Sequence, residues 1–251
     1  MHPNRPILVA TDFSAHARHA ADRAARLAHE KSAPLALLHV QPGEALASLR
    51  QWLGLGNAPE QTMTAEARGQ LAQLAAELQA SRHVAAQAEV AAGLPVDEIL
   101  GAAERLDARL LVLGARGTGF LRRLVLGTTA ERLLRRTTRP LLVVRQTAHE
   151  PYRRVLVALD HSPWSAQALA LARRIAPHAH LVLFSAFEVP FGEKLRFAGV
   201  DADTIEAYRR KARADTTQAV YRLADAAGLD AARWQPCIAE GDASLRLVEQ
   251  E

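Results

Sequence analysis

The sequence predicts an open, doubly wound α/β sheet of parallel strands, laid down twice along the chain and the second time incompletely. Three observations predict it. Short apolar runs alternate with Ala- and Arg-rich segments whose apolar residues recur at helical spacing. Several of those runs are unbroken, as expected of parallel strands covered on both faces. The opening pattern also starts again near residue 152. Alternating strand and helix implies parallel pairing through right-handed crossovers.

In chain order, strands are expected near Ile7–Thr11, Leu35–Val40, Ala85–Ala91, Leu110–Gly114 and Pro140–Val144. The Ala-rich segment from about Ala15 to Glu30 links the first two as a helix. Longer helical patterns follow at Thr62–Arg82 and Pro95–Leu106. Thr128 with Glu131 three residues on fits a capping box, so another helix is expected to begin there. Sheets of this kind bind ligands beyond the carboxyl ends of their strands, where the strand order reverses. Asp12, Val40 and Gly114 all fall at such ends.

The second copy opens with Arg153-Arg154-Val155-Leu156-Val157-Ala158-Leu159-Asp160-His161-Ser162, matching Arg5-Pro6-Ile7-Leu8-Val9-Ala10-Thr11-Asp12-Phe13-Ser14. A helix from about Pro163 to Ala176 and an apolar run from Leu181 to Phe187 follow. Asp160 lies 148 positions after Asp12, and Gly241 lies 148 after Gly93. An offset that returns to the same value over that distance argues for duplication. Glu251 corresponds to about residue 103, so the fourth strand, the glycine-rich loop and the fifth strand have no counterpart. The domains are therefore expected at residues 1–148 and 149–251.

Bulk properties exclude several classes. Of 251 residues, 49% are hydrophobic and 23% charged, which argues against disorder. No apolar run reaches the roughly 18 residues of a membrane span. The N-terminus reads as a first strand, not as a signal peptide. The lone Cys237 precludes an internal disulfide and fits a reducing compartment, so a cytoplasmic location is expected. The net charge of +4 suits anionic ligands, yet no basic run is interleaved with aromatics as in single-strand nucleic-acid binding.

The chemistry is concentrated after the fourth strand. Gly114-Ala115-Arg116-Gly117 is followed by nine residues, Thr118 to Leu126, and then by Gly127-Thr128-Thr129. Glycines permit positive φ and close approach of backbone amides to an anion. A helix starting at Thr128 would turn its free N–H groups and positive dipole end toward a phosphate. The hydroxyls of Thr128 and Thr129 could add hydrogen bonds or hold a metal ion. No Lys follows Gly127, so this is not a P-loop; nor do the glycines follow the first strand, as in a dinucleotide fold.

Gly-x-x-Gly, nine residues, then Gly-Thr after a fourth apolar strand resembles the ATP-binding signature of the universal stress protein family. Ile7-Leu8-Val9-Ala10-Thr11-Asp12-Phe13-Ser14 and Arg139-Pro140-Leu141-Leu142-Val143-Val144-Arg145 are similar to that family's first and last strands. The likeness covers residues 5–145 and continues through the partial copy, as in tandem members. It implies the adenine-nucleotide α-hydrolase-like version of the fold, with ATP and Mg as ligand. It implies that Asp12 lies near adenine and ribose and that Val40 meets the adenine through its backbone. Gly114 would border the ribose, and Gly117, Gly127, Thr128 and Thr129 would hold the phosphates. Asp160 is retained in the second copy without a glycine loop, so one nucleotide site per chain is expected. The likeness further implies a stress-response or signalling role with weak or no hydrolysis, no catalytic residue, and a homodimer paired through Pro140–Val144.

Other features have plainer readings. Arg116, Arg122, Arg123, Arg132, Arg135, Arg136, Arg139 and Arg145 form either an electropositive rim around the loop or a solvated surface, with Arg116 and Arg123 best placed to reach a phosphate. His16/His19 and His178/His180 read as surface histidines and not as a zinc site. Cys237 reads as a small apolar residue. The stretch Phe187–Phe197 is expected to pack over the empty equivalent of the nucleotide cleft or to contact a partner, and Gln41–Pro59, with Trp52, Leu53 and Leu55, to form a lid over the adenine or simply to dock as a helix. The alternative function is a protein- or lipid-interaction module in which nucleotide is absent or incidental. An adenylate-transferring enzyme is disfavoured, because Thr11-Asp12-Phe13-Ser14-Ala15-His16 lacks the Ser-Gly-Gly-x-Asp-Ser of such enzymes.

Overall fold

The computed structural model describes residues 5–41, 43, 58–115, 127–189 and 200–250. The chain divides into two compact units, Met1–Glu150 and Pro151–Glu251.

The first unit contains strands β1 (Ile7–Ala10), β2 (Leu35–Gln41), β3 (Ala86–Ala92), β4 (Leu110–Gly114) and β5 (Leu141–Val144). Its helices are α1 (Ala15–Lys31), α2 (Ala58–Arg82), α3 (Pro95–Arg105) and α4 (Thr128–Arg136). All pairings are parallel, in the order β3-β2-β1-β4-β5. β1 lies at the centre, and Ile7, Leu8 and Val9 are at most 1% exposed, as a strand covered on both faces requires. The chain winds outward from β1 to β3 and then crosses back to place β4 on the other side of β1. That reversal lies between the carboxyl ends of β1 and β4, the place where sheets of this kind bind ligands.

The helices are held by small and aliphatic residues at helical spacing. α1 buries Ala17, Ala20, Ala21, Ala24, Ala25, Leu27 and Ala28, and the short side chains let it lie close to the sheet. Leu8, Leu38, Leu111, Ile99 and Leu133 form the core between the sheet and α3 and α4. α2 begins at Ala58, earlier than the sequence pattern indicates, and has a weak amphipathic stripe, with Leu71, Leu74 and Leu78 buried.

Near its carboxyl end Arg82 donates to both carboxylate oxygens of Asp22, at 2.6 and 2.8 Å, and to the Ala148 carbonyl at 3.3 Å. Both charged side chains are only about a quarter exposed (26% and 21%). Arg82→Ala is expected to lower stability by about 1.5–3 kcal/mol, the range for hydrogen bonds to charged groups, read from the midpoint of urea denaturation.

The second unit has strands β6 (Arg154–Ala158), β7 (His180–Phe187) and β8 (Trp234–Glu240) in a three-stranded parallel sheet of order β6-β7-β8. Its helices are α5 (Pro163–Ile175), α6 (Ala202–Ala226) and α7 (Ala243–Val248). Among the described residues this reproduces β1-β2-β3 of the first unit. The correspondence extends to single hydrogen bonds. Thr11 N donates to the Leu38 carbonyl at 2.9 Å, and Leu159 N to the Phe184 carbonyl at 2.8 Å. Gly93 N donates to Gln41 and Gly241 N to Phe187, at 3.0 and 2.9 Å, both glycines with positive φ.

Among the described residues, no helix is long and apolar enough to cross a membrane.

Candidate functional site

β1 runs into the turn Thr11–Ser14, whose geometry is set by side chains. Asp12 Oδ1 accepts the Ser14 N–H at 3.1 Å, and Thr11 Oγ1 accepts the Phe13 N–H at 3.1 Å. Ser14 then caps α1 by accepting the Ala17 N–H at 3.3 Å. Phe13 is forced to φ 63°, a region that a bulky side chain rarely adopts. Its ring rests against His39 with centroids 4.4 Å apart, and His39 Nδ1 donates to the Thr11 carbonyl at 2.8 Å. The carbonyl can only accept, so Nδ1 carries the proton. This Phe13–His39 pair ties the ends of β1 and β2 together, and nothing in the sequence pattern singles it out.

Val40 is the penultimate residue of β2, in register with Ala91 of β3. The Leu38 carbonyl points toward β1, and backbone direction alternates along a strand. The Val40 N–H and C=O therefore turn to the same side, beyond the last β1–β2 pairing at Ala10 and Leu38. That position presents backbone donor and acceptor at the mouth of the crevice.

Gly114 ends β4, and packing alone requires a glycine there. It has no positive φ. A Cβ there would come within 2.7 Å of the His16 carbon, 2.8 Å of its oxygen and 2.9 Å of Ala17 N. The residue is glycine so that the first turn of α1 can pack on the end of β4.

Beyond it, Ala115 N donates to the Val144 carbonyl at 2.8 Å, and Gly127 N donates to the Ala115 carbonyl at 3.0 Å. The segment between Ala115 and Gly127 is thus closed at its base by a backbone hydrogen bond. Arg116 and Gly117, like Arg122, Arg123, Trp52, Leu53, Leu55 and the Phe191–Phe197 stretch, lie outside the described residues.

The start of α4 corrects the capping-box expectation. Gly127 is the N-cap, at φ −58°, ψ 146°, with no side-chain cap hydrogen bond, and Thr128 is already the first helical residue. Glu131 turns away from the helix start and pairs with Arg135 at 3.0 Å. A glycine N-cap leaves the first-turn amides of Thr128, Thr129 and Ala130 without a side-chain acceptor from their own helix. Thr128 is exposed and Thr129 half-buried.

The arginines near the loop are not a uniform rim. Arg135 pairs with Glu131, Arg136 with Asp97 at 2.7 Å, and Arg139 with Asp107. Their positive field is partly neutralised where it arises. Of the histidines, His16 and His19 meet edge to face at 6.2 Å, and no group of three His, Cys, Asp or Glu among the described residues could hold a metal ion.

The second unit repeats the turn. Ser162 N donates to Asp160 Oδ1 at 3.0 Å, Ser162 Oγ accepts the Trp164 N–H at 3.3 Å, and His161 sits at φ 61°. Ser185, at the place of His39, donates to the Leu159 carbonyl at 3.2 Å and lies 2.8 Å from His161 Nε2. The polar partner has changed residue type, yet the same carbonyl is capped.

Asp160 also accepts the Ser165 hydroxyl at 2.9 Å. The Ser162 hydroxyl and N–H, then the Ser165 hydroxyl, lower its carboxyl from 3.8 to about 2. A depressed carboxylate contributes stability that is present above its unfolded value and lost as pH falls through its folded one. The window is therefore from about pH 4 down to about pH 2. A carboxyl carbon NMR titration should find the Asp160 midpoint near that lower value, and Ser165→Ala should move it upward.

Residues 3–145 match the universal stress protein family. The chain is 33% identical over 146 residues to universal stress protein YxiE of Bacillus subtilis, covering 55% of this chain and 97% of that protein. A crystal structure of a universal stress protein from Archaeoglobus fulgidus matches all of this chain and 83% of its own, with a TM-score of 0.64 and 19% identity, a likeness in fold. A universal stress protein from Archaeoglobus fulgidus in complex with dAMP is 18% identical over 57% of this chain and 99% of that one, with a TM-score of 0.44.

Proposed function

The chain belongs to the universal stress protein family, and from that premise we propose that its first unit is an ATP-binding module serving stress response or signalling in the cytoplasm, with weak or no hydrolysis. The observation that carries this reading is the return of Gly127 to Ala115 by a backbone hydrogen bond. It starts α4, without a side-chain cap, at the β4 side of the crevice. First-turn amides with no side-chain cap and the positive end of the helix dipole favour a phosphate there. Thr128 and Thr129 would add hydroxyl donors and a contact to a Mg ion. Gly117 and Arg116 would complete the phosphate contacts. Asp12 would face the ribose and adenine, Val40 would meet the adenine edge through its backbone, and Gly114 would border the ribose. Gly114 already has a packing reason to be glycine, so its identity adds nothing to this reading.

The domains are read as an ATP-binding copy, 1–148, and an incomplete copy, 149–251, that binds no nucleotide. One site per chain follows, along with a homodimer paired through β5, an edge strand of the first sheet.

Calorimetric titration with Mg-ATP tests this reading, after any bound nucleotide has been extracted and assayed. One equivalent per chain is expected. Thr129→Ala should weaken binding by about 10- to 100-fold, the equivalent of one hydrogen bond to a charged group. Gly127→Val, which places a β-branched side chain at the helix N-cap, should abolish it. No binding and no co-purified nucleotide would overturn the ATP reading. The alternative, a protein- or lipid-interaction module, would then stand on the second unit, where Trp164, Leu245 and Val248 are 70, 68 and 69% exposed.

A further inference from the structure

Near its carboxyl end β2 carries a backbone N–H that the sheet leaves unused. Thr11 N donates to the Leu38 carbonyl. In a parallel ladder, a residue that donates to position 38 accepts from position 40, so the next bond would run from the Val40 N–H to the Thr11 carbonyl. Among the described residues that bond is not formed, and β1–β2 pairing ends at Ala10 and Leu38. The Thr11 carbonyl takes the His39 Nδ1–H instead, at 2.8 Å. Thr11 is 5% exposed, and a backbone carbonyl so placed needs a donor.

The same arrangement occurs in both units. Phe13 holds the His39 ring at a centroid distance of 4.4 Å, and does so from φ 63°. Backbone strain of that kind persists where the surrounding structure requires it. In the second unit Ser185 caps the Leu159 carbonyl at 3.2 Å, and His161, at φ 61°, meets Ser185 Oγ at 2.8 Å. Residue types differ at both positions. What is kept is a left-handed turn residue that holds a side-chain donor on the carbonyl.

Gln41 fixes the strand end on the other side of Val40. It is 5% exposed, its Nε2 donates to the Met63 carbonyl, and its Oε1 accepts the Thr64 hydroxyl, each at 3.0 Å. Its backbone carbonyl accepts the Gly93 N–H, also at 3.0 Å. Val40 is thus held between two anchored neighbours, with its N–H outside the β1–β2 ladder.

We propose that His39, steadied by Phe13, is a positioning residue for the adenine subsite: by taking the Thr11 carbonyl it reserves the Val40 N–H for the base. This rests on the reading of the first unit as an ATP module. An adenine edge carries an acceptor nitrogen beside an amino group, which matches the Val40 N–H beside its C=O. His39 acts through Val40 and needs no contact with the base. Without the imidazole the Thr11 carbonyl is orphaned, and the donor in ladder register is the Val40 N–H. The ladder then closes by one step, and the base loses its donor.

Amide hydrogen exchange and calorimetry of the full chain test this together. Without nucleotide, the Val40 amide should exchange fast in wild type and about tenfold more slowly in His39→Leu, as a ladder bond forms. Mg-ATP should bind His39→Leu about 10- to 100-fold more weakly, as for a buried acceptor that loses its donor. Tripolyphosphate, which has no base, should bind both chains equally. His39→Ser, which copies Ser185, should restore both readings. Phe13→Ala, which keeps the imidazole and frees its ring, should shift them part of the way, and it serves if His39→Leu does not fold. Val40 exchange that ignores residue 39 would overturn the proposal, as would undiminished ATP affinity in a folded His39→Leu chain. Equal losses of ATP and tripolyphosphate, or no rescue by serine, would mean that His39 only supports the fold, and would overturn it too. A wild-type chain that binds neither ligand would overturn the ATP reading and this assignment with it, a failure visible before any variant is made.

Discussion

Gly114→Ala is expected to destabilise the first unit by about 3 kcal/mol, the upper end of the usual cost of overpacking. The new methyl group would meet the backbone of His16 and Ala17 at 2.7 to 2.9 Å, distances that real Cβ atoms do not occupy. Backbone atoms cannot rotate away as a side-chain tip can, so relief requires moving α1 off the sheet. α1 is anchored by seven buried residues, which makes that movement costly. Gly101→Ala is the matched control. Gly101 lies inside α3 with nothing within 4 Å of the position an alanine methyl would take, so alanine there should stabilise by about 0.5–1 kcal/mol. Urea denaturation of the two variants should therefore shift in opposite directions. Equal shifts would mean that Gly114 has no packing role.

Leu133→Ala should cost about 2–5 kcal/mol, as for other fully buried leucines. Leu133 is 0% exposed, and α4 buries only it and Ala130. A nine-residue helix is too short to hold itself together in water, so its position depends on that anchor. The same change tests the link from packing to function. If the first-turn amides of α4 hold phosphate, a loosened helix should bind Mg-ATP more weakly even though residue 133 is far along the helix from Thr128. A variant with lowered stability and unchanged affinity would separate α4 from the nucleotide.

These two residues show what is legible in the sequence. The parallel strands are, since β1, β2 and β4 are apolar runs with no competing period, and their observed limits differ from the pattern by a residue or so. The repeat is also legible, because Asp-x-Ser recurs at a strand end in both copies. The local roles are less so. Glycine in a sequence suggests conformational freedom, yet Gly114 and Gly127 both have ordinary φ, and Gly114 is there for space. Positive φ falls instead on Phe13 and His161, because the Asp-x-Ser turn forces the middle residue into it. Helix ends show the same limit. α1, α2 and α3 are followed by Ser32, His83 and Asp107 in the left-handed region, where glycine is the usual signal. The His39–Thr11 bond joins residues 28 positions apart, and only the β1–β2 register brings them together.

The hydrogen bond from Gly127 to Ala115 has a consequence for how such proteins diverge. It fixes both ends of the intervening eleven residues to the sheet, whatever those residues are. Closing a longer insert between fixed ends adds only about 0.6 kcal/mol for each doubling of length. The stretch from residue 116 to 126 can therefore change in sequence and length while the strands and helices that carry stability stay the same.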